Sequence, residues 1–113
     1  MMRDPLVDAY AMGLRIELAE LGTWSPAVLV SEYDHAAATI RINLAAAQRL
    51  RQSGGEVEAC ALIRCAVAHE LYHHFAAVNP RAARGDRRAV EGQAHAFARE
   101  RYGLDPERFE RII

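Results

Sequence analysis

The feature that most constrains this chain is a long helical pattern that contains the motif His-Glu-x-x-His. Apolar residues recur at helical spacing after a Gly-Gly break and before a proline, which predicts a helix over residues 56–77. In that helix His69 and His73 lie one turn apart on one face, so both imidazoles can reach one metal ion. Glu70 follows His69 by about 100° around the helix axis and would stand beside that ion.

This motif has the donor types of a catalytic zinc site. Zinc accepts neutral imidazole, and a catalytic site uses three protein ligands and keeps a fourth position for water. Glu70 would be the general base. A third ligand must come from a later element, and the helix predicted over residues 87–102 offers Glu91 and His95 on one face. The spacing does not choose between them. If Glu91 binds, His95 or Tyr102 can stabilise an oxyanion, and if His95 binds, Glu91 can orient an imidazole.

The remaining pattern predicts an α+β domain, mostly helical, with a short antiparallel β-hairpin or sheet packed on the motif helix. Asp4 before Pro5 is typical of a helix start, because the carboxylate caps free N–H groups and proline lacks one. The predicted elements are a helix over residues 5–21, strands over 27–33 and 39–43, helices over 44–52, 56–77 and 87–102, and a short last helix ending at 113.

Length and composition bound the function classes. The 113 residues suit a single domain, and a net charge of −1 argues against direct nucleic-acid binding. Cys60 and Cys65 would point to different sides of their helix, which favours reduced thiols and a cytoplasmic location. The sequence begins without the apolar core of a signal peptide, and no apolar run approaches membrane-spanning length.

Two stretches together resemble the ImmA/IrrE family of zinc metallopeptidases. They are Ala-His-Glu-Leu-Tyr-His-His over residues 68–74 and Glu-Gly-Gln-Ala-His-Ala-Phe-Ala over residues 91–98. Members of that family carry a His-Glu-x-x-His helix and a later Glu-x-x-Ala-x-x-Phe-Ala helix, whose first glutamate is the third zinc ligand. Ile-Arg-Ile-Asn over residues 40–43 is similar to a strand that precedes the motif helix in the family. The resemblance covers roughly residues 27–100.

The resemblance implies a small zincin-like domain of gluzincin type. His69, His73 and Glu91 would bind Zn²⁺, and Glu70 would be the catalytic base. Family members cleave helix-turn-helix repressors, so the expected activity is a zinc-dependent endopeptidase whose substrate is a regulatory protein such as a transcriptional repressor.

Two positions depart from the family pattern. Tyr72 stands where the family often has glycine, and His95 stands where it often has asparagine. An alternative is therefore a metal-binding regulatory or interaction module that keeps the zincin fold without turnover. A third interpretation is a small helical interaction domain that binds no metal.

A peptidase also needs a surface that aligns its substrate. Edge strands commonly do this by strand addition. The strand near residues 38–43 is the predicted candidate, with Thr39 and Arg41 facing outward. His74, adjacent to a predicted ligand, and His35, in the hairpin turn, are interpreted as surface or supporting residues.

Overall fold

The computed structural model of this chain describes residues 4–21, 30–78 and 87–105, and they form an α+β fold, as predicted. The predicted last helix, the loop over residues 80–86 and the start of the predicted strand 27–33 lie outside the described residues. The elements are α1 (Pro5–Ala11), β1 (Arg15–Ala19), β2 (Ser31–Asp34), β3 (Thr39–Asn43), α2 (Leu44–Val78) and α3 (Arg87–Tyr102).

The sheet has three strands in the order β1-β3-β2. The predicted hairpin is confirmed, because β2 and β3 pair antiparallel with Tyr33 opposite Ile40. The prediction that the strand near residues 38–43 offers a free edge is wrong. β3 is the central strand, paired on its other side with β1 in parallel, and Thr39 is buried. Within the described part of the chain, β1 and β2 are the sheet edges.

The predicted helix over residues 5–21 is also wrong beyond its first two turns. The cap is as expected, with the Leu6 N–H donating to Asp4 Oδ1 at 2.9 Å, but α1 ends at Ala11. Gly13 follows with a φ of 77°, a left-handed conformation that glycine adopts readily and that does not continue a helix. Not all of the apolar residues at helical spacing face the core, since Leu18 is 44% exposed.

The motif helix follows directly from the central strand. Asn43 ends β3 and accepts a hydrogen bond from the Ala45 N–H on its Oδ1 at 3.0 Å, which caps the start of α2. Gly55 interrupts α2 with φ 83° and ψ −174°. The helices predicted over residues 44–52 and 56–77 therefore correspond to the two segments of α2.

The second segment of α2 lies between the sheet and α3. Its buried residues Val67 and Leu71 belong to one core with Ile40 and Ile42 of β3 and with Tyr102 of α3. Apolar side chains on two sides of one helix fix its rotation, which in turn fixes where the motif side chains point.

Two further predictions concern the cysteines and membrane segments. Cys60 is exposed and Cys65 is buried, and both are free thiols, as predicted. No helix within residues 4–21, 30–78 or 87–105 has the length and apolar character needed to cross a bilayer.

Candidate metal centre

Two helices bring three of the predicted ligands together. His69 and His73 of α2 face α3 with their Nε2 atoms 3.1 Å apart. Glu91 of α3 places Oε2 at 3.0 Å from His69 Nε2 and Oε1 at 3.2 Å from His73 Nε2. The structure therefore assembles the two imidazoles and the carboxylate that the sequence could only place on separate helices.

Small residues and one hydrogen bond hold the two helices in this arrangement. Ala68 of α2 and Ala94 of α3 are fully buried, and small side chains allow helices to approach closely. Tyr72 donates a hydrogen bond from its hydroxyl to Oε1 of Gln93, and its ring centroid lies 5.8 Å from that of Phe97. Tyr72 thus ties α2 to α3 beside the site.

The spacing of the three donors fits a zinc ion. Zinc binds imidazole nitrogen and carboxylate oxygen at about 2.0–2.2 Å in tetrahedral geometry, which separates neighbouring ligand atoms by about 3.3 Å. The observed separations are 3.0, 3.1 and 3.2 Å. The donor set is also chemically suitable, since two neutral imidazoles and one carboxylate occur in catalytic zinc sites.

Burial prepares His69 for metal binding. Its side chain is 18% exposed, and desolvation lowers its pKa to about 4, although the neighbouring carboxylate of Glu91 acts in the opposite direction. At neutral pH the imidazole of His69 is therefore neutral, which is the form that donates a lone pair to a metal.

Glu70 lies on the side of α2 that faces β2, next to the ligands. It is 5% exposed, and Ser31 donates a hydrogen bond from Oγ to Glu70 Oε2 at 2.7 Å. Desolvation raises its pKa to about 7, and the negative charges of Glu91 and Glu32 add to the rise, while the hydrogen bond from Ser31 opposes it. A carboxyl group with a pKa near neutrality is suited to proton transfer at physiological pH.

Of the other two predicted site residues, His95 lies near the candidate metal centre and Tyr102 lies away from it. The ring of His95 has its centroid 5.5 Å from that of His69, and potential ligand atoms of His69, Glu91 and His95 all lie within 4.8 Å of one another. Tyr102, by contrast, donates its hydroxyl to Asp8 Oδ2 at 2.7 Å. It follows Glu91 by eleven residues, about 16 Å along α3. The structure does not bring Tyr102 to the site, and its hydroxyl ties α3 to α1.

Strand β2 contributes side chains to the site that the sequence pattern alone did not predict. Ser31 and Tyr33 alternate along this strand, and both contact α2: Ser31 at Glu70, and Tyr33 through a hydrogen bond of 2.7 Å between its hydroxyl and His74 Nδ1. The same hydroxyl lies 3.0 Å from Nδ1 of His35. The period of two residues was the available signal, because alternate residues of a strand share one face. His74 and His35 thus pair with Tyr33, in agreement with their interpretation as supporting and surface residues.

Comparisons with protein-family models, curated proteins and solved structures give no match to this chain. The resemblance to the ImmA/IrrE family therefore stays a prediction from the motifs. The fold and the geometry of the candidate metal centre are independent of it.

Proposed function

We propose that this chain is a zinc-dependent endopeptidase in which His69, His73 and Glu91 hold the metal and Glu70 is the general base. One observation carries the proposal: three donor atoms from two helices lie 3.0–3.2 Å apart, beside a buried glutamate. A site held together only for stability has no need of a buried carboxyl group, because burying such a group is unfavourable.

The side chains around the site have distinct tasks in peptide hydrolysis. Bound zinc would polarise the scissile carbonyl and acidify a water molecule. Glu70 would accept the proton released in the attack and pass it to the leaving amine. Ser31 holds Oε2 of Glu70, which orients the carboxyl group and leaves Oε1 to exchange the proton.

An edge of the sheet is available to align a peptide. Among the described residues, β2 pairs with β3 alone, and its Ser31 contacts Glu70 directly. A peptide that extends the sheet along β2 would run past the catalytic carboxyl group. β2 therefore replaces the strand near residues 38–43 as the proposed substrate edge.

The proposed substrate follows from the motif resemblance, and the proposed location follows from the free cysteines. A helix-turn-helix repressor in the cytoplasm is the proposed substrate, which would make the protein a regulatory peptidase. Direct nucleic-acid binding is no part of this proposal, in keeping with the net charge of −1.

Metal analysis combined with a cleavage assay tests the proposal. The wild type should purify with one zinc per chain, and Glu91→Ala should lose most of it. Glu70→Gln should keep zinc and lose cleavage of the repressor. As a control, Glu100→Ala removes an exposed carboxylate from α3, the helix of Glu91, and should change neither zinc content nor cleavage. Equal zinc occupancy in wild type and Glu91→Ala would reject the third ligand, and cleavage by Glu70→Gln would reject the base.

A second candidate function is a metal-binding regulatory module without turnover. The position of His95 favours it, because a further imidazole close to His69 and Glu91 can fill the coordination position that catalysis requires. A zinc-loaded protein that cleaves no repressor encoded beside it would support this candidate. Protein that carries no zinc, and whose stability does not respond to a chelator, would indicate an interaction domain instead.

A further inference from the structure

His95 lies on the side of α3 that faces the candidate metal centre. It follows Glu91 by four residues, which places the two side chains one turn apart on the same side of the helix. The fully buried residues Ala94 and Ala98 turn this part of α3 towards α2. The ring of His95 consequently lies next to that of His69, at 5.5 Å between centroids.

A ring nitrogen of His95 lies close to ligand atoms of two of the three residues proposed to hold the ion. Potential ligand atoms of His69, Glu91 and His95 lie within 4.8 Å of one another. Neighbouring ligands of a tetrahedral zinc ion are about 3.3 Å apart. The His95 side chain would therefore have to move towards His69 and Glu91 to bind the same ion.

We propose that His95 is a fourth ligand of the metal ion held by His69, His73 and Glu91, so that the chain itself closes its resting site. The inference rests on the proposed metal centre and concerns how that centre is regulated. Three imidazoles and one carboxylate satisfy the tetrahedral preference of zinc, which leaves no position for water or substrate.

A site of this kind is latent until one ligand leaves. His95 is the ligand suited to leaving, because the other three donors already lie 3.0–3.2 Å apart and define the site without it. A peptide carbonyl that arrives at the centre would compete with the imidazole of His95 for the fourth position. Turnover would then require substrate binding strong enough to displace a side chain of the protein.

Cobalt substitution gives a direct test, since Co²⁺ absorption reports coordination number and exchangeable ligands. The full chain is loaded with Co²⁺ or Zn²⁺ as wild type, His95→Gln, His95→Ala and the control His35→Ala, which removes an exposed histidine from the hairpin turn. X-ray absorption of the zinc forms counts imidazole ligands, azide probes for an open position, and competition with a chromophoric chelator measures affinity.

We expect three imidazole ligands in wild type and His35→Ala, with cobalt spectra that do not respond to azide. His95→Gln and His95→Ala should show two imidazoles, a response to azide, and zinc affinity lower by at least about tenfold, since loss of even an outer hydrogen-bond partner of a ligand costs about 10- to 100-fold. Because glutamine and alanine differ in size, the same result in both His95 variants would not be explained by a packing defect.

Other outcomes overturn the inference. Two imidazoles in the wild type, an azide response there, or unchanged affinity in both His95 variants would show that His95 is not a ligand while leaving the proposed peptidase site intact. Wild-type protein that binds neither Zn²⁺ nor Co²⁺ would overturn the proposed function together with the inference.

Discussion

The buried carboxyl group of Glu70 should make the metal-free protein less stable as the pH rises. Its pKa is about 7 in the folded state, mainly because of desolvation, against an ordinary value of 4.5. Between these values the folded protein keeps a proton that the unfolded chain has released. The free energy of unfolding must therefore fall as the pH rises through this interval, and the loss is complete above the folded-state pKa.

The size of the effect follows from that difference. One pH unit of pKa change corresponds to about 1.4 kcal/mol, so the rise from 4.5 to about 7 amounts to about 3 kcal/mol above neutral pH. Glutamine has nearly the same shape, carries no charge, and can still accept the hydrogen bond from Ser31 on its amide oxygen. Glu70→Gln should accordingly be more stable than the wild type by about 3 kcal/mol at about pH 8, and by close to nothing at or below about pH 4.5.

Comparing the wild type with Glu70→Gln separates the contribution of Glu70 from that of His69. The pKa of His69 is lowered to about 4 by burial, so its contribution runs in the opposite direction and stability rises with pH between about 4 and its ordinary 6.5. This term is present in both proteins and largely cancels in the difference. Urea unfolding of chelator-treated protein, followed by circular dichroism from about pH 4 to about pH 8, measures that difference. Glu100→Gln is the control, since it removes an exposed carboxylate.

Two results would refute the reasoning. Equal stability of wild type and Glu70→Gln at about pH 8 would mean that the carboxyl group is well solvated. A stabilisation that is the same at both ends of the pH range would mean that the gain does not come from ionisation. Saturating zinc should shrink the difference, because a nearby cation favours the ionised carboxylate.

Three further predictions concern the scaffold. Gly55→Ala should destabilise the fold by about 1–3 kcal/mol, because its φ of 83° suits glycine alone, whereas Gly92→Ala in helical α3 should stabilise it by about 0.5–1 kcal/mol; urea unfolding compares the two. Tyr102→Phe should cost about 1 kcal/mol in the same assay and leave zinc affinity unchanged, because its hydroxyl pairs with Asp8 away from the site. Tyr72→Phe should cost a similar amount and, unlike Tyr102→Phe, should weaken zinc binding, because it loosens α3 from α2.

The parts of the site that depend on local geometry were predictable. Two histidines four residues apart share a face in any α-helix, and the motif helix was signalled by its own apolar period. The choice of third ligand was not local, because Glu91 and His95 occupy the same face of α3. Packing between α2 and α3 places the Glu91 carboxylate within 3.2 Å of both imidazoles. It places the ring centroid of His95 at 5.5 Å from that of His69.

The parts of the fold that depend on distant pairing were missed. Residues 15–19 form β1 because β3 offers a partner, as in the hydrogen bond from the Arg15 N–H to the Ala38 carbonyl at 2.9 Å. Within residues 5–21, Gly13 and the alternation of Leu14, Ile16 and Leu18 with polar residues were the available signals of a strand. The leucines also fit helical spacing, so these signals did not decide between the two structures. Without β1, β3 looked like an edge strand, which is why the sequence made it the candidate for aligning a substrate.

A single bound cation would account for several features of this site that are unfavourable without it. Burial holds His69 in its neutral form and raises the pKa of Glu70 to about 7, so the metal-free fold carries desolvated groups that the charge of Glu91 and the hydrogen bond from Ser31 offset only in part. Neutral imidazole is the form that binds a metal, and a divalent cation stabilises a carboxylate beside it. The same ion would replace the polar contacts among His69, His73 and Glu91 with bonds to the metal. The instability that Glu70 confers on the metal-free fold is therefore what we expect if Glu70 is the general base of the proposed zinc site.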